Sequence, residues 1–247
     1  LTLVFVLPPI IVTGCCDCTA KLWSAFPGGC LRTLTGHEDS VHSAVFSPEG
    51  QEVLTASLDG TAKRWSASSG ECLGNLAVHR DGVLSAVFSP DGQRVLTASV
   101  DCTAKLWSTI SGESMQTFQG HEGAVNSAVF SFLPGQEVLT ASSDGTAKLW
   151  SATSGECLCS LIDHTDCVLS VAHSPDSHAV LTASLDGTAK LWNAVSGACL
   201  RTLVGHERGV SSAVFSPRGQ EVLTTSYDYT AKIWSSLSGE CLRTLVG

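Results

Sequence analysis

TASLDGTAKRW, residues 55–65, occurs in six related versions along the chain. The others are TGCCDCTAKLW (13–23), TASVDCTAKLW (97–107), TASSDGTAKLW (140–150), TASLDGTAKLW (182–192) and TTSYDYTAKIW (224–234). They end at Trp23, Trp65, Trp107, Trp150, Trp192 and Trp234, the six tryptophans of the chain, at intervals of 42, 42, 43, 42 and 42 residues. A period that regular marks an array of one supersecondary unit, in which each copy buries its apolar faces against its neighbours.

Each version reads as a β-hairpin. Val53, Thr55 and Ser57 alternate with Leu54 and Ala56, a period of two. Asp59-Gly60 is a two-residue turn signal, because glycine accepts positive φ and aspartate tolerates it. This pairing sets Thr55 across the hairpin from Trp65. The full repeat adds two strands. Strand a covers 41–47 and strand b 52–57, with Pro48-Glu49-Gly50 between them; strand c covers 61–65, and strand d covers 72–76 after Ser68-Ser69-Gly70. Four strands of about 5–6 residues and their tight turns fill one period.

Composition narrows the class. The chain has 247 residues, 15% of them charged, against about 25% in an average soluble protein. The net charge of −9 argues against a nucleic-acid backbone or an anionic membrane as the main partner. The lysines (Lys21, Lys63, Lys105, Lys148, Lys190 and Lys232) share one repeat position and form no basic patch. The apolar run at 1–12, LTLVFVLPPIIV, is shorter than the ~20 residues that span a bilayer. It also lacks a basic region and a small-residue cleavage site. It is expected to form the first two strands of a repeat, with Pro8-Pro9 at their turn.

Five of the 11 cysteines recur at one position, Cys30, Cys72, Cys157, Cys199 and Cys241. Neighbouring sheets sit about 10 Å apart, too far for a disulfide between equivalent positions. These residues are expected to be small, buried and reduced. Cys15, Cys16 and Cys18 replace Ser, Leu and Gly of the repeat, and no fourth ligand is spaced to make them a zinc site.

The pattern GH…V..AVFSP.GQ.VLTAS.DGTAKLW…SGECLRTL resembles the WD-repeat family of β-propellers over essentially the whole chain. The resemblance implies an all-β fold, a ring of four-stranded antiparallel blades around a channel. One departure is consistent: Ser, or Asn193 once, follows each Trp where the family has Asp. Blade boundaries are expected near 1–36, 37–78, 79–120, 121–163, 164–205 and 206–247. Six blades would close at roughly 60° each by packing alone. The alternative is membership of a longer, seven-bladed array.

The resemblance also implies a buried tetrad of His, a strand-b hydroxyl, Asp and Trp in each blade. The residues are His37, Thr55, Asp59 and Trp65; His79, Thr97, Asp101 and Trp107; His121, Thr140, Asp144 and Trp150; His164, Thr182, Asp186 and Trp192; His206, Thr224, Asp228 and Trp234. The first blade has Thr13 and Trp23 without the His. A His-Asp pair can be catalytic, but an active site needs one unique constellation, and five equivalents point to architecture.

Function must then sit where blades differ. In this family the face bearing the d–a and b–c loops often binds partners, and three positions per blade point there. The first set is Ser40, Gly82, Ala124, Cys167 and Gly209. The second is His42, Leu84, Asn126, Leu169 and Ser211; the third is Cys16, Leu58, Val100, Ser143, Leu185 and Tyr227. The resemblance implies a non-enzymatic scaffold for other proteins or peptides, cytoplasmic or nuclear, with no cofactor, metal, nucleic acid or membrane. The alternatives are the partner-sensing domain of a larger signalling enzyme, and an enzyme with a site at the channel mouth. The inserted residue in FSFLPGQ (130–136) falls in an a–b turn, and His173 with His178 reads as local degeneration of the repeat.

Overall fold

Each strand turns back on its chain neighbour, so pairing is sequential throughout the computed structural model, which describes residues 10–131 and 137–246. The first sheet holds β1 (Ile10–Gly14), β2 (Thr19–Ser24) and β3 (Cys30–Thr35). The second holds β4 (Val41–Phe46), β5 (Glu52–Ser57), β6 (Thr61–Ser66) and β7 (Cys72–Val78). The third is β8 (Val83–Phe88), β9 (Arg94–Ser99), β10 (Thr103–Ser108) and β11 (Ser114–Gln119). The fourth is β12 (Val125–Phe130), β13 (Glu137–Ser142), β14 (Thr146–Ser151) and β15 (Cys157–Ile162). The fifth is β16 (Val168–His173), β17 (Ala179–Ser184), β18 (Thr188–Asn193) and β19 (Cys199–Val204). The sixth is β20 (Val210–Phe215), β21 (Glu221–Ser226), β22 (Thr230–Ser235) and β23 (Cys241–Val246). The first sheet therefore has three strands among the described residues. The expected strand before Pro8-Pro9, and the inserted turn at 132–136, lie outside them.

The b–c register corrects the two-residue turn. Val53 pairs with Trp65 and Thr55 with Lys63, so the loop is Leu58-Asp59-Gly60. Gly60 N donates to Ser57 O, and Gly60 takes φ 81°. A three-residue loop of this kind ends on a left-handed residue, which is why glycine follows the aspartate. Cys18, Cys102 and Tyr229 hold the same position at φ 65°, 66° and 66°.

The sheets stack face to face in chain order. Leu54, Ala56, Ala62 and Leu76 of the second sheet meet Val83, Ala86, Val95 and Trp107 of the third. The same sets recur at each later seam. Each fully buried Leu or Val contributes about 1.5–3 kcal/mol. The outward faces of the terminal sheets differ. Leu223 is 38% exposed, whereas its equivalents Leu54, Leu96, Leu139 and Leu181 are fully buried. At the other end Ile11, the ladder partner of Trp23, is 52% exposed. These are the two kinds of face that mate at every interior seam, and here both are open.

The recurring cysteines are a second correction. Cys30, Cys72, Cys157, Cys199 and Cys241 are all exposed and free. Strand d is the outer edge of each sheet, and the c–d ladder bulges where Cys72 meets Trp65, which turns the thiol outward.

Candidate protein-interaction surface

Five of the sheets carry the same hydrogen-bonded chain. In the fourth, Trp150 Nε1 donates to Thr140 Oγ1 at 2.8 Å, Thr140 Oγ1 lies 2.7 Å from His121 Nε2, and His121 Nδ1 lies 2.8 Å from Asp144 Oδ2. Indole N–H can only donate, so the threonine hydroxyl accepts from it and gives its own proton to Nε2. The imidazole is then protonated on Nδ1 and donates to an ionised carboxylate. The other four repeat these distances to within about 0.1 Å: His37 with Thr55, Asp59 and Trp65; His79 with Thr97, Asp101 and Trp107; His164 with Thr182, Asp186 and Trp192; His206 with Thr224, Asp228 and Trp234. In the first sheet Trp23 bonds Thr13 at 2.9 Å, and Asp17 turns instead to Thr19 and to Lys21, 3.0 Å away.

The electrostatics agree with that proton arrangement. Burial pushes the pKa of His37, His79, His121 and His164 down, against the pull of the aspartates. Burial opposes ionisation of Asp59, Asp101 and Asp144 too. Hydrogen bonds from the following threonine, from the histidine and from the backbone N–H after it outweigh that, and hold each carboxyl at about 2. Asp59 therefore joins three things: Thr61 of strand c, His37, and Glu38 N of the d–a loop. Every donor and acceptor has a partner within its own sheet, and the five copies are alike.

The variable positions are set by backbone geometry. The a–b ladder skips His42, since Val41 pairs with Ser57 and Ser43 with Ala56. Leu84, Asn126, Leu169 and Ser211 are skipped in the same way. A bulge of this kind takes a residue out of the ladder and re-aims its side chain. In five of the sheets the b–c loop is tied to the d–a loop by one backbone bond: Leu58 N to Ser40 O, Val100 N to Gly82 O, Ser143 N to Ala124 O, Leu185 N to Cys167 O, and Tyr227 N to Gly209 O. Both loops of the face are thus fixed before any partner arrives.

The candidates are not equally free. Asn126 donates to Val168 O of the next sheet and to Ser143 Oγ, and Ser211 Oγ bonds Thr225. Leu58 and Leu185 lean on the next sheet, where a Cβ at Gly82 or Gly209 would fall 2.7 or 2.8 Å from their methyls. Leu84, Val100 and Leu169 are half-buried, and His42 is exposed. Tyr227 is 53% exposed and Leu185 36%. Among the described residues no cluster of three or more His, Cys, Asp or Glu is placed to hold a metal ion. Nor is any helix there long and apolar enough to cross a membrane. Sequence reasoning passed over the cavities at the a–b turn end, lined by His173, Phe215, Arg201 and Arg218. Their signal was departure from the repeat at His173 and Arg218.

Six stacked antiparallel sheets, five of them carrying one such network, define a structural repeat array. A family profile described as "WD domain, G-beta repeat" matches residues 28–66, 70–108, 112–151, 155–193 and 197–235, and the chain belongs to that WD-repeat family. Among curated proteins it is similar to the nuclear distribution protein PAC1 of Mycosarcoma maydis, 42% identical over 45 residues, 18% of this chain and 10% of that one. PAC1 of Cryptococcus neoformans var. neoformans serotype D is 51% identical over 39 residues, 16% and 9% of the two chains. Nuclear distribution protein nudF 2 of Aspergillus clavatus is 49% identical over 47 residues, 19% and 11%. The match spans about a tenth of the length of each relative, close to one repeat.

Proposed function

We propose that the chain is a non-enzymatic interaction scaffold, one propeller unit over residues 1–247 that presents a rigid surface to partner proteins or peptides. The observation that supports this is the tie between Leu58 N and Ser40 O and its four equivalents. It fixes the d–a and b–c loops in five of the six sheets, while the side chains projecting from them change from sheet to sheet. A surface ordered in advance loses little conformational entropy on binding. Leu84, Leu169, Leu185 and Tyr227 are its apolar anchors, with His42, Leu58, Val100, Asn126, Ser143 and Ser211 around them. The His-Asp pairs serve architecture, since each is satisfied within its own sheet. Eleven free cysteines, several of them exposed, suit a reducing compartment, hence the cytoplasm or nucleus. The same surface would serve as the partner-sensing part of a longer chain.

Affinity capture with mass spectrometry, comparing the wild type with Leu84→Asp/Leu169→Asp and with Leu185→Asp/Tyr227→Asp, tests the reading. Specific partners should disappear from one or both variants while thermal stability is kept. Identical partner lists across all three proteins would remove this face from consideration.

A further inference from the structure

In a repeat protein, shared residues build the frame and departures from them carry information. Strand a ends on Ala-Val-Phe in β4, β8, β12 and β20, but on Val171-Ala172-His173 in β16. The phenylalanine position faces the preceding sheet, as Phe130 does, and the residue before it faces the following one, as Val129 does. His173 keeps the burial of that site, at 4% exposed, yet neither ring nitrogen has a hydrogen-bond partner. Leaving a buried polar group unpaired is unfavourable. Burial pushes its pKa down to about 4, so at neutral pH the ring offers one N–H and one lone pair. Ala172 is smaller than the valine of the other copies. Both residues line an open cavity of about 510 Å³, together with Val129, Phe130, Val214 and Phe215.

A second departure adjoins it. Pro175 and Phe215 also line a cavity of about 560 Å³ in the seam between the fifth and sixth sheets. This one carries Arg201 of β19 and Arg218 of the β20–β21 turn. Arg201 is steadied by the carbonyls of Leu200 and Leu237. Asp176 lies there too, its carboxylate held by Ser174 Oγ and His178 N. At the same two repeat positions the first seam has Arg32 and Glu49, the second Gly74 and Asp91, and the fourth Cys159 and Asp176. Among the described residues, the fifth seam is the one where both are basic, on a chain whose net charge is −9.

We propose that the inner cavity and this seam form one docking groove for an acidic segment of a partner protein, which seats a tyrosine against His173 and a carboxylate between Arg201 and Arg218. Both ring nitrogens are covered by their surroundings, so the phenol, which both donates and accepts a hydrogen bond, pairs with the neutral imidazole once that ring turns into the cavity, against walls of Val129, Ala172 and Phe215. Two guanidinium groups lining one cavity favour a carboxylate. The groove lies at the a–b turn end of the strands, away from the d–a and b–c loops, so its test is separate from that of the face proposed above.

The experiment is fluorescence anisotropy of a fluorescein-labelled Glu-Asp-Tyr-Glu-Asp peptide titrated with the full chain. Saturable binding is expected. His173→Phe, which restores the residue of the other copies, should weaken it about tenfold without lowering the melting temperature. Arg201→Ala/Arg218→Ala should weaken it about as much and flatten its salt dependence. Replacing the probe's tyrosine with alanine should match the His173→Phe loss, and Leu185→Asp/Tyr227→Asp should change nothing. Absence of saturable binding overturns the proposal. So does an affinity that is indifferent to His173→Phe, to the arginine pair or to the probe's tyrosine.

Discussion

Trp150 Nε1 donates to Thr140 Oγ1 at 2.8 Å, although the residue opposite Trp150 in the ladder is Val138. The indole thus reaches diagonally, two residues along the same face of the sheet, to a hydroxyl that also touches His121. The contact spans the b–c hairpin and, through His121 and Asp144, the d–a loop. One side chain therefore locks three segments of a sheet.

Acid should unfold this chain in two stages. Four of the network histidines have folded pKa values below their ordinary 6.5, so the unfolded chain takes up protons first as pH falls. Stability is then full above about pH 6.5 and declines below it. The carboxyls of Asp59, Asp101 and Asp144 add a second decline between 3.8 and about 2. Denaturant midpoints measured from pH 8 to pH 3 should fall monotonically; a midpoint that rises between pH 6.5 and 5 contradicts this.

Leu139 and Leu223 occupy one repeat position but not one environment, being fully buried and 38% exposed. Leu139→Ala should lose about 2–5 kcal/mol, as large-to-small changes in a core do. Leu223→Ala should lose under about 1 kcal/mol, as surface changes do. Equal losses in urea unfolding would mean that the face of the sixth sheet is covered.

Exposed thiols on strand d should react in the folded state. Ellman's reagent under native conditions is expected to modify Cys30, Cys72, Cys157, Cys199 and Cys241 without denaturant. Peptide mapping that finds those five protected would restore the buried reading.

The architecture was legible because a tryptophan every 42 or 43 residues leaves few alternatives to a sheet array. The resemblance to the WD-repeat family, laid on that spacing, also pointed to His121, Thr140, Asp144 and Trp150, and a buried indole, imidazole and carboxylate do need one another as partners. The register was less legible. Asp59-Gly60 fits a two-residue loop or a three-residue one, and the pairing of Ala56 with Ala62 selects the latter. The exposure of Cys72 depends on a bulge that no residue type announces. The open faces at Leu223 and Ile11 depend on what the terminal sheets meet, which a repeat pattern does not encode. His173 stood out in the sequence as an oddity, but its importance comes from the missing hydrogen-bond partners.

The separation of frame from surface is tested most directly by differential scanning calorimetry of Asp144→Ala beside Tyr227→Asp. Asp144→Ala strips His121 Nδ1, Glu122 N and Thr146 N of their acceptor. It should lose about 1–3 kcal/mol per buried donor left unpaired. At about 2–4 °C per kcal/mol for a chain of this size, the melting temperature should drop by several degrees. Tyr227→Asp should melt with the wild type. An unchanged melting temperature for Asp144→Ala would contradict the assignment of the His-Asp networks to architecture.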